Sequence, residues 1–476
     1  MICLALTGKT LKDDFKAIDA YRGKIDCAEL RADYLDSGEV SSLKDVPARA
    51  GLPLILTVRR ASDGGCFAGT EAERIRIIRE GLKGTYRYVD LEEDFTGDIS
   101  SDLLSGKTII RSFHDFEGVT GLKERLRTLP RSGSEIPKAA VMPKSTRDCL
   151  AITEAARAIS GPKIIIGMGS WGFFTRVLYK RLGSILTFCS VPESSAAPGH
   201  TDPDTLRLLY RADKVDSSTQ VNCVIGNPVM HSRSPEIHNR GYDLLSIDAV
   251  YVPFQVDDVE EFKLLMEAFD IRGVSVTLPH KEAILRILDR EDDAVRRIGA
   301  CNTVVRDHGV YTGYNTDAEG FCAPLGKVLP LSRLNGLRTL VVGAGGAARS
   351  VVYALSRAGA DISIVNRTYE KAVALAGEFG CTAIAESNAL ALQGFDLVVQ
   401  TTSAGMEPHV EEDPLPNYQF SGKEIVYDII YAPPVTRFLS RAQAANCRTI
   451  GGLQMLRAQG YAQFKLFTGR DYPEAL

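Results

Sequence analysis

The chain has 476 residues, enough for about three domains of ordinary size. Hydrophobic types make up 45% and charged types 24%, with 56 basic against 60 acidic residues. That balance excludes a disordered or collagen-like chain, and it leaves no overall basic field to attract nucleic acid or an anionic membrane. Ten cysteines are scattered singly, without a C-x-x-C pair or a Cys/His group at zinc spacing, and every apolar run is far shorter than a membrane span. Met1 leads straight into ICLAL with no leader pattern. The expectation is a cytoplasmic, multidomain chain with no metal site and no nucleic-acid or membrane partner.

Strand-like runs in the first part start near Ile2, Cys27, Pro53, Tyr86, Lys107, Lys138, Lys163 and Ser184, 21 to 33 residues apart. Most gaps hold a helix-period segment such as EAERIRIIREGL. Eight strand-helix units match a (β/α)8 barrel, and unbroken apolar runs fit parallel strands covered on both faces. Two separate four-stranded domains would give the same pattern. In a barrel, the C-terminal strand ends line one mouth, where barrel enzymes work. Here they carry Glu29, Arg31, Arg59, Asp90, Glu92 and His114, with Lys138 inside the sixth strand. Lys138 lies in PKAAV, a small apolar setting in which desolvation would favour a neutral amine able to attack a carbonyl. A lysine reaching to the barrel rim reads equally well. His114 is a candidate proton shuttle or a structural histidine.

ELRADYL (29–35), TVR (57–59), SFHDF (112–116), KAAVMPKS (138–145), IGMGSWGFFTR (166–176), GSILTF (183–188) and APGH (197–200) occur in this order. Together they resemble type I 3-dehydroquinate dehydratase. The resemblance implies a Schiff base on Lys138, His114 as general acid and base, and Glu92 orienting His114. It also implies that Glu29, Arg31, Arg59 and Arg176 hold the substrate, with the planar fork of Arg176 suited to its carboxylate. Ala196 and His200 stand where that family usually carries serine and glutamine in a lid loop, and His200 is expected to keep a substrate contact.

A polar stretch, RADKVDSSTQ (211–220), precedes a second series of strands and helices: VNCVIG, PEIHNRGYDLL, AVYVPFQV, VEEFKLLMEAF, GVSVTL and KEAILRIL. From Leu337 the pattern changes. The buried-type strand TLVV runs into Gly343, Ala344, Gly345, Gly346 and Ala347 and then an alanine-rich helix. Glycines there permit a tight turn and close approach of a pyrophosphate to free helix N–H groups, although a bare glycine trio can also be an ordinary turn. The next strand, DISIVNR, ends without the acidic residue of an NAD site. It offers Asn366, Arg367 and Thr368 instead, which suit a 2′-phosphate and so favour NADP(H). Lys371 either adds charge there or is a solvated helix lysine.

VIGNPVMHSRSPEIHN (224–239), VSVTLPHKE (274–282), GACNTVV (299–305), GYNTDAEG (313–320), TTSAGM (401–406), VYDIIYAPPVT (426–436) and GGLQMLRAQ (451–459) surround this fingerprint. The set is similar to shikimate dehydrogenase. The resemblance implies that Ser232 and Ser234 bind a substrate carboxylate, that Thr277, Asn302, Asp317 and Gln459 contact hydroxyls, and that Tyr431 lies near the substrate. It implies Lys281 and Asp317 as the catalytic pair, with Thr402 and Gly452 beside the cofactor. Hydride addition to a ketone builds charge on oxygen, which a nearby ammonium can neutralise by giving up a proton. Read alone, Lys281 could be a surface lysine at a helix start and Asp317 a helix cap.

The expected fold is α/β. A TIM barrel spans 1–214, an α/β substrate-binding domain spans 219–328 and is completed by 453–476, and a Rossmann NADP-binding domain spans 329–452. The expected function is bifunctional: 3-dehydroquinate is dehydrated to 3-dehydroshikimate, which NADPH reduces to shikimate. The competing readings are a metabolite-sensing regulator that kept the fold, and an aldolase-like barrel fused to another NADP reductase.

Overall fold

The computed structural model describes residues 1–192, 198–199, 201–387 and 394–474. The chain divides into two compact units, Met1–Tyr242 with Ser246–Ile271, and Asp243–Leu245 with Arg272–Leu476.

In the first unit, eight parallel strands follow one another: β1 (Ile2–Leu6), β2 (Cys27–Arg31), β3 (Leu54–Thr57), β4 (Tyr88–Glu92), β5 (Thr108–Asp115), β6 (Ile136–Val141), β7 (Ile164–Gly167) and β8 (Thr187–Ser190). Their order around the sheet is β7-β6-β5-β4-β3-β2-β1-β8. A bridge between Lys163 and Ser184 brings the two ends together, so the sheet closes as a (β/α)8 barrel. Alternate residues point inward. Cys3, Cys27, Ile55, Ile110, Ile136 and Ile164 pack the interior toward the N-terminal ends of the strands. Two residues on, the inward positions are polar at Glu29, Thr57, Ser112 and Lys138 and apolar at Ala5 and Ile166.

Helix starts follow local chemistry. Thr70 and Glu73 form a capping box at the helix Glu71–Leu82, and Ser145 caps the helix Thr146–Ala158.

The first unit continues past the barrel into β9 (Gln220–Gly226) and β10 (Ala249–Gln255), paired in parallel, and the helix Val259–Phe269. These pack on the barrel's own helices. Phe174 stacks on Phe254 at 5.1 Å and meets Phe269 edge-on at 5.6 Å. Thr146 donates to Asp257 Oδ1 from its backbone N at 2.9 Å and from its hydroxyl at 2.6 Å. All three phenylalanines are buried.

In the second unit, β11 (Ile271–Val276), β13 (Thr303–Asp307) and β14 (Val310–Tyr314) pair antiparallel, with the short β12 (Arg290–Glu291) parallel on the outer edge of β14. The segment KEAILRIL, expected as a helix, forms only a 3-10 turn at Ala283–Ile287. Its entry is pinned elsewhere, because the Lys281 carbonyl that would start a helical ladder accepts the N–H of Cys301 at 2.7 Å.

Six further parallel strands follow: β15 (Arg338–Val342), β16 (Asp361–Val365), β17 (Thr382–Ile384), β18 (Leu397–Gln400), β19 (Ile425–Asp428) and β20 (Arg448–Ile450). Their order, β17-β16-β15-β18-β19-β20, is that of a doubly wound dinucleotide fold. One face packs on the helices Asp317–Val328 and Gly346–Arg357 through Phe321, Leu325, Val351 and Leu355, and the other on Phe438, Leu439 and Ala442 of the helix Arg437–Ala444. Among the described residues, no helix is long and apolar enough to cross a membrane.

Candidate active sites

At the barrel mouth, the strand period sets Glu29 and Arg31 of β2, Asp90 and Glu92 of β4, and Ser112 and His114 of β5 on the inward face. Glu29, Arg31, Arg59, His114, Lys138 and Arg176 line one cavity together with Asp63 and Phe188. Lys138 Nζ lies 2.8 Å from Asp90 Oδ2 and 3.4 Å from Glu29 Oε1, over the Phe188 ring at 4.4 Å. The small apolar setting expected for this amine is therefore corrected. PKAAV describes the lysine's neighbours along its own strand, whereas the carboxylates arrive from β2 and β4.

Burial works against charge on Asp90, yet Arg59 and Lys138 hold its carboxyl far below the usual range. Arg59 is the hub, donating to Asp90 Oδ1, Glu92 Oε1 and Ser112 Oγ at 2.8, 2.8 and 3.0 Å. The expected role of Glu92 is also corrected. Its oxygens accept from Arg59 and, at 2.6 Å, from the fully buried Arg74, while His114 Nδ1 has no hydrogen-bond partner among the described residues. Burial, with Arg59 and Lys138 nearby, pushes the His114 imidazole well below its ordinary pKa. It is a neutral ring with an open nitrogen, the form a general base needs.

Arg31 is held bidentately by Asp33 at 2.9 and 2.7 Å, and Glu29 accepts from Thr57 Oγ1 at 2.8 Å. Arg176 is different. It is buried, among the described residues it meets only the carbonyls of Phe188 and Pro198 and its Nε is unpartnered, and burial lowers it to about 10. A guanidinium still charged at neutral pH without an acidic partner is a seat for an anion. Ala196 and His200 lie outside the described residues. Asp90 and Asp63 were given no role from the sequence; the alternation of Asp90 with Glu92 on β4 was the available signal for the first, and none pointed to the second.

In the second unit, Lys281 Nζ forms an ion pair with Asp317 Oδ2, and both side chains are largely buried. Asp317 is the first residue of the helix Asp317–Val328, where the positive end of the helix dipole favours a carboxylate. Its Oδ1 does not cap that helix but accepts from Asn302 Nδ2 at 2.8 Å. Asn302 Nδ2 also lies 3.4 Å from Gln459 Oε1. Lys281, Asp317, Asn302 and Gln459 thus form one connected group. Thr277 stands half-buried just past β11, and Tyr431 half-buried in the loop after β19. Ser232 and Ser234 belong to the first unit, where Ser234 N donates to Ser232 Oγ at 3.3 Å beside the start of the helix Ser234–Leu244.

At the end of β15, Gly343 adopts φ +115°, a left-handed conformation that favours glycine, and Gly345 precedes the helix Gly346–Arg357. Ala344, Gly346 and Ala347 share this turn. Asn366 Nδ2 closes the turn after β16 by donating to Thr368 O at 2.8 Å. Arg367, Thr368 and Lys371 are exposed, and no carboxylate pairs with Arg367 among the described residues. Thr402 Oγ1 accepts from Ala404 N at 3.2 Å. Gly452 N donates to Ile430 O at 3.1 Å, and a side chain there would strike the Ile429 carbonyl 2.0 Å away. The glycine turn, free helix N-terminus and unpaired arginine fit a phosphorylated dinucleotide. Among the described residues, no group of three or more His, Cys, Asp or Glu side chains could hold a metal ion.

Comparison with known proteins gives three consecutive family matches: type I 3-dehydroquinase at residues 2–217, shikimate dehydrogenase substrate binding domain at 224–304, and shikimate / quinate 5-dehydrogenase at 327–455. The chain is 31% identical to the chloroplastic bifunctional 3-dehydroquinate dehydratase/shikimate dehydrogenase of Arabidopsis thaliana, over 95% of this chain and 79% of that one. It is 40% identical to the NADP(+) shikimate dehydrogenase of Moorella thermoacetica, over 55% of this chain and 92% of that one. Among solved structures, a shikimate dehydrogenase in complex with NADP+ matches with TM-score 0.51 and 35% identity, covering 54% of this chain and 92% of that one.

Proposed function

The chain belongs to the family of bifunctional 3-dehydroquinate dehydratase/shikimate dehydrogenases, and from that premise we propose how its two sites work. The chain is a 3-dehydroquinate dehydratase and an NADP-dependent shikimate 5-dehydrogenase. The first unit dehydrates 3-dehydroquinate to 3-dehydroshikimate, and NADPH reduces that product to shikimate. The ten free cysteines support a reducing, cytoplasmic setting. The partners are these small molecules, not nucleic acid or membrane.

In the barrel, Lys138 Nζ attacks the substrate ketone, and the carbonyl oxygen leaves as water to give an imine. Neutral His114 takes a proton from the adjacent carbon, and the electron pair moves toward the imine nitrogen. His114 then returns its proton to the departing hydroxyl, which leaves as water. Hydrolysis of the imine consumes one water and restores the lysine, so the net change is the loss of one water. Asp90 and Glu29 hold the amine, Arg59 ties Asp90 to Glu92, and Arg176 receives the substrate carboxylate. Glu29 and Arg31 take hydroxyls. The observation that carries this reading is the enclosed Lys138 amine in one cavity with a His114 nitrogen and an Arg176 guanidinium that, among the described residues, have no hydrogen-bond partner and no acidic partner respectively.

NADPH supplies a hydride when bound. The chain supplies the proton: Lys281 donates it to the forming alkoxide, while Asp317 holds the lysine and accepts a substrate hydroxyl. Asn302, Thr277, Tyr431 and Gln459 contact the ring. Gly343, Ala344, Gly345, Gly346, Ala347, Thr402 and Gly452 border the dinucleotide. Arg367, with Asn366, Thr368 and Lys371, meets its 2′-phosphate.

The test is turnover of 3-dehydroquinate by the whole chain with NADPH. Shikimate should appear, with oxidation of NADPH matching it mole for mole. Build-up of 3-dehydroshikimate without NADPH oxidation would contradict the second half of the proposal, and unchanged 3-dehydroquinate the first.

A further inference from the structure

The helix that starts at the glycine turn meets Lys281 directly and reaches Asp317 through Asn315. At its first residue, the bare Cα of Gly346 packs on the lysine stem. A Cβ built there would come 3.2 Å from Lys281 Cβ and 3.3 Å from Cδ, closer than side chains normally pack. One turn further, fully buried Ser350 meets Asn315, with its Oγ 3.1 Å from Asn315 Nδ2 and 3.3 Å from Asn315 Oδ1. Asn315 Oδ1 also accepts the backbone N–H of Asp317 at 3.1 Å, and its Nδ2 donates to Ala300 O at 2.9 Å. From the other side, Asn302 Oδ1 accepts the N–H of Thr316 at 2.9 Å. Asp317 is thus held through the chain before it, and one of the two holds leads to the dinucleotide helix.

We propose that Asn315 and Ser350 are positioning residues through which the helix Gly346–Arg357 holds Asp317 against Lys281. The proposal deepens the reading of Lys281 and Asp317 as the proton-handling pair and rests on it. A buried amide whose donors and acceptor are all engaged has one orientation, because any rotation leaves a buried polar group unpaired. Asp317 therefore inherits the placement of the helix whose N-terminus meets the pyrophosphate. Both side chains are buried.

The test uses the full chain, whose dehydratase activity is an internal standard for active protein. S350A removes one oxygen and places the best helix former in a helix, so folding is preserved. Its kcat for reduction of 3-dehydroshikimate should fall roughly tenfold at unchanged KM for NADPH and for substrate. The deuterium isotope effect with 4-deuterated NADPH should rise as hydride transfer becomes slower relative to release. A smaller fraction of folded protein would leave that isotope effect where it was. N315A should lose at least as much kcat, and the double variant no more than N315A alone, since both act through one contact. Unchanged kcat in S350A, a change confined to KM, or additive losses would overturn the proposal. If K281M and D317N keep full turnover, the reading beneath it falls as well. If they lose turnover while S350A does not, only the proposal falls.

Discussion

Both proposed sites are built on a lysine paired with an aspartate, and they differ in what holds the pair. Lys138 and Asp90 sit on the barrel strands either side of β5, with exposures of 5% and 0%, and Arg59 ties Asp90 to Glu92 and Ser112. Lys281 and Asp317, at 15% and 7%, sit on a short loop and a helix start. A strand-borne network fixes the amine proposed to form and release a covalent bond. The looser pair borders a helix N-terminus where a dinucleotide comes and goes, so its geometry depends on a neighbouring element. The contrast is between preorganisation by a closed sheet and preorganisation by contact with the cofactor helix.

The largest effects test the independence of the two sites. K138M should lower dehydration by more than about 10⁴-fold while leaving reduction of 3-dehydroshikimate intact. K281M should do the reverse, by roughly 10²–10⁴-fold. Separate assays of the two half-reactions on each variant check this, and loss of both activities in either one would break the comparison.

The next effect concerns His114. Because burial and nearby cations depress its pKa well below 6.5, the ring stays neutral as pH falls through the range where an ordinary imidazole protonates. Dehydratase kcat should therefore remain flat from pH 8 to below 6.5. An acid limb centred at 6.5 would contradict the desolvated site.

A third prediction concerns Phe254, which belongs by sequence to the second enzyme and by packing to the first unit. F254A should destabilise that unit by about 3–5 kcal/mol, read as a lower denaturant midpoint for loss of dehydratase activity. An unchanged midpoint would separate the barrel from β9 and β10. The smallest effect is expected at Arg367, where R367A should raise KM for NADPH roughly tenfold to a hundredfold and leave KM for NADH nearly unchanged.

Much of this was legible in the sequence because it is local or periodic. Strand recurrence revealed the barrel, alternation set Glu29 with Arg31 on one face, and the glycine turn with Arg367 indicated a dinucleotide bearing a 2′-phosphate. What was not legible crosses strands or long separations. Lys138 meets Asp90 and Glu29 from 48 and 109 positions away, and Asn315 meets Ser350 from 35. Arg74, on the helix after β3, takes the Glu92 oxygen, and no spacing rule predicts that. The polar stretch near 211–220 reads as a linker, yet its residues up to 217 fall inside the first family match. The packing of Phe174 on Phe254 also carries the first unit past it.

The central claim is that Lys138 bonds covalently to the substrate. Borohydride added to the whole chain during turnover of 3-dehydroquinate, followed by peptide mass analysis, tests it most directly. The account predicts a substrate-derived mass on the peptide holding Lys138 and a matching loss of dehydratase activity, with reduction of 3-dehydroshikimate preserved. An unmodified Lys138 in a fully inactivated enzyme, or full activity after treatment under turnover, would contradict it.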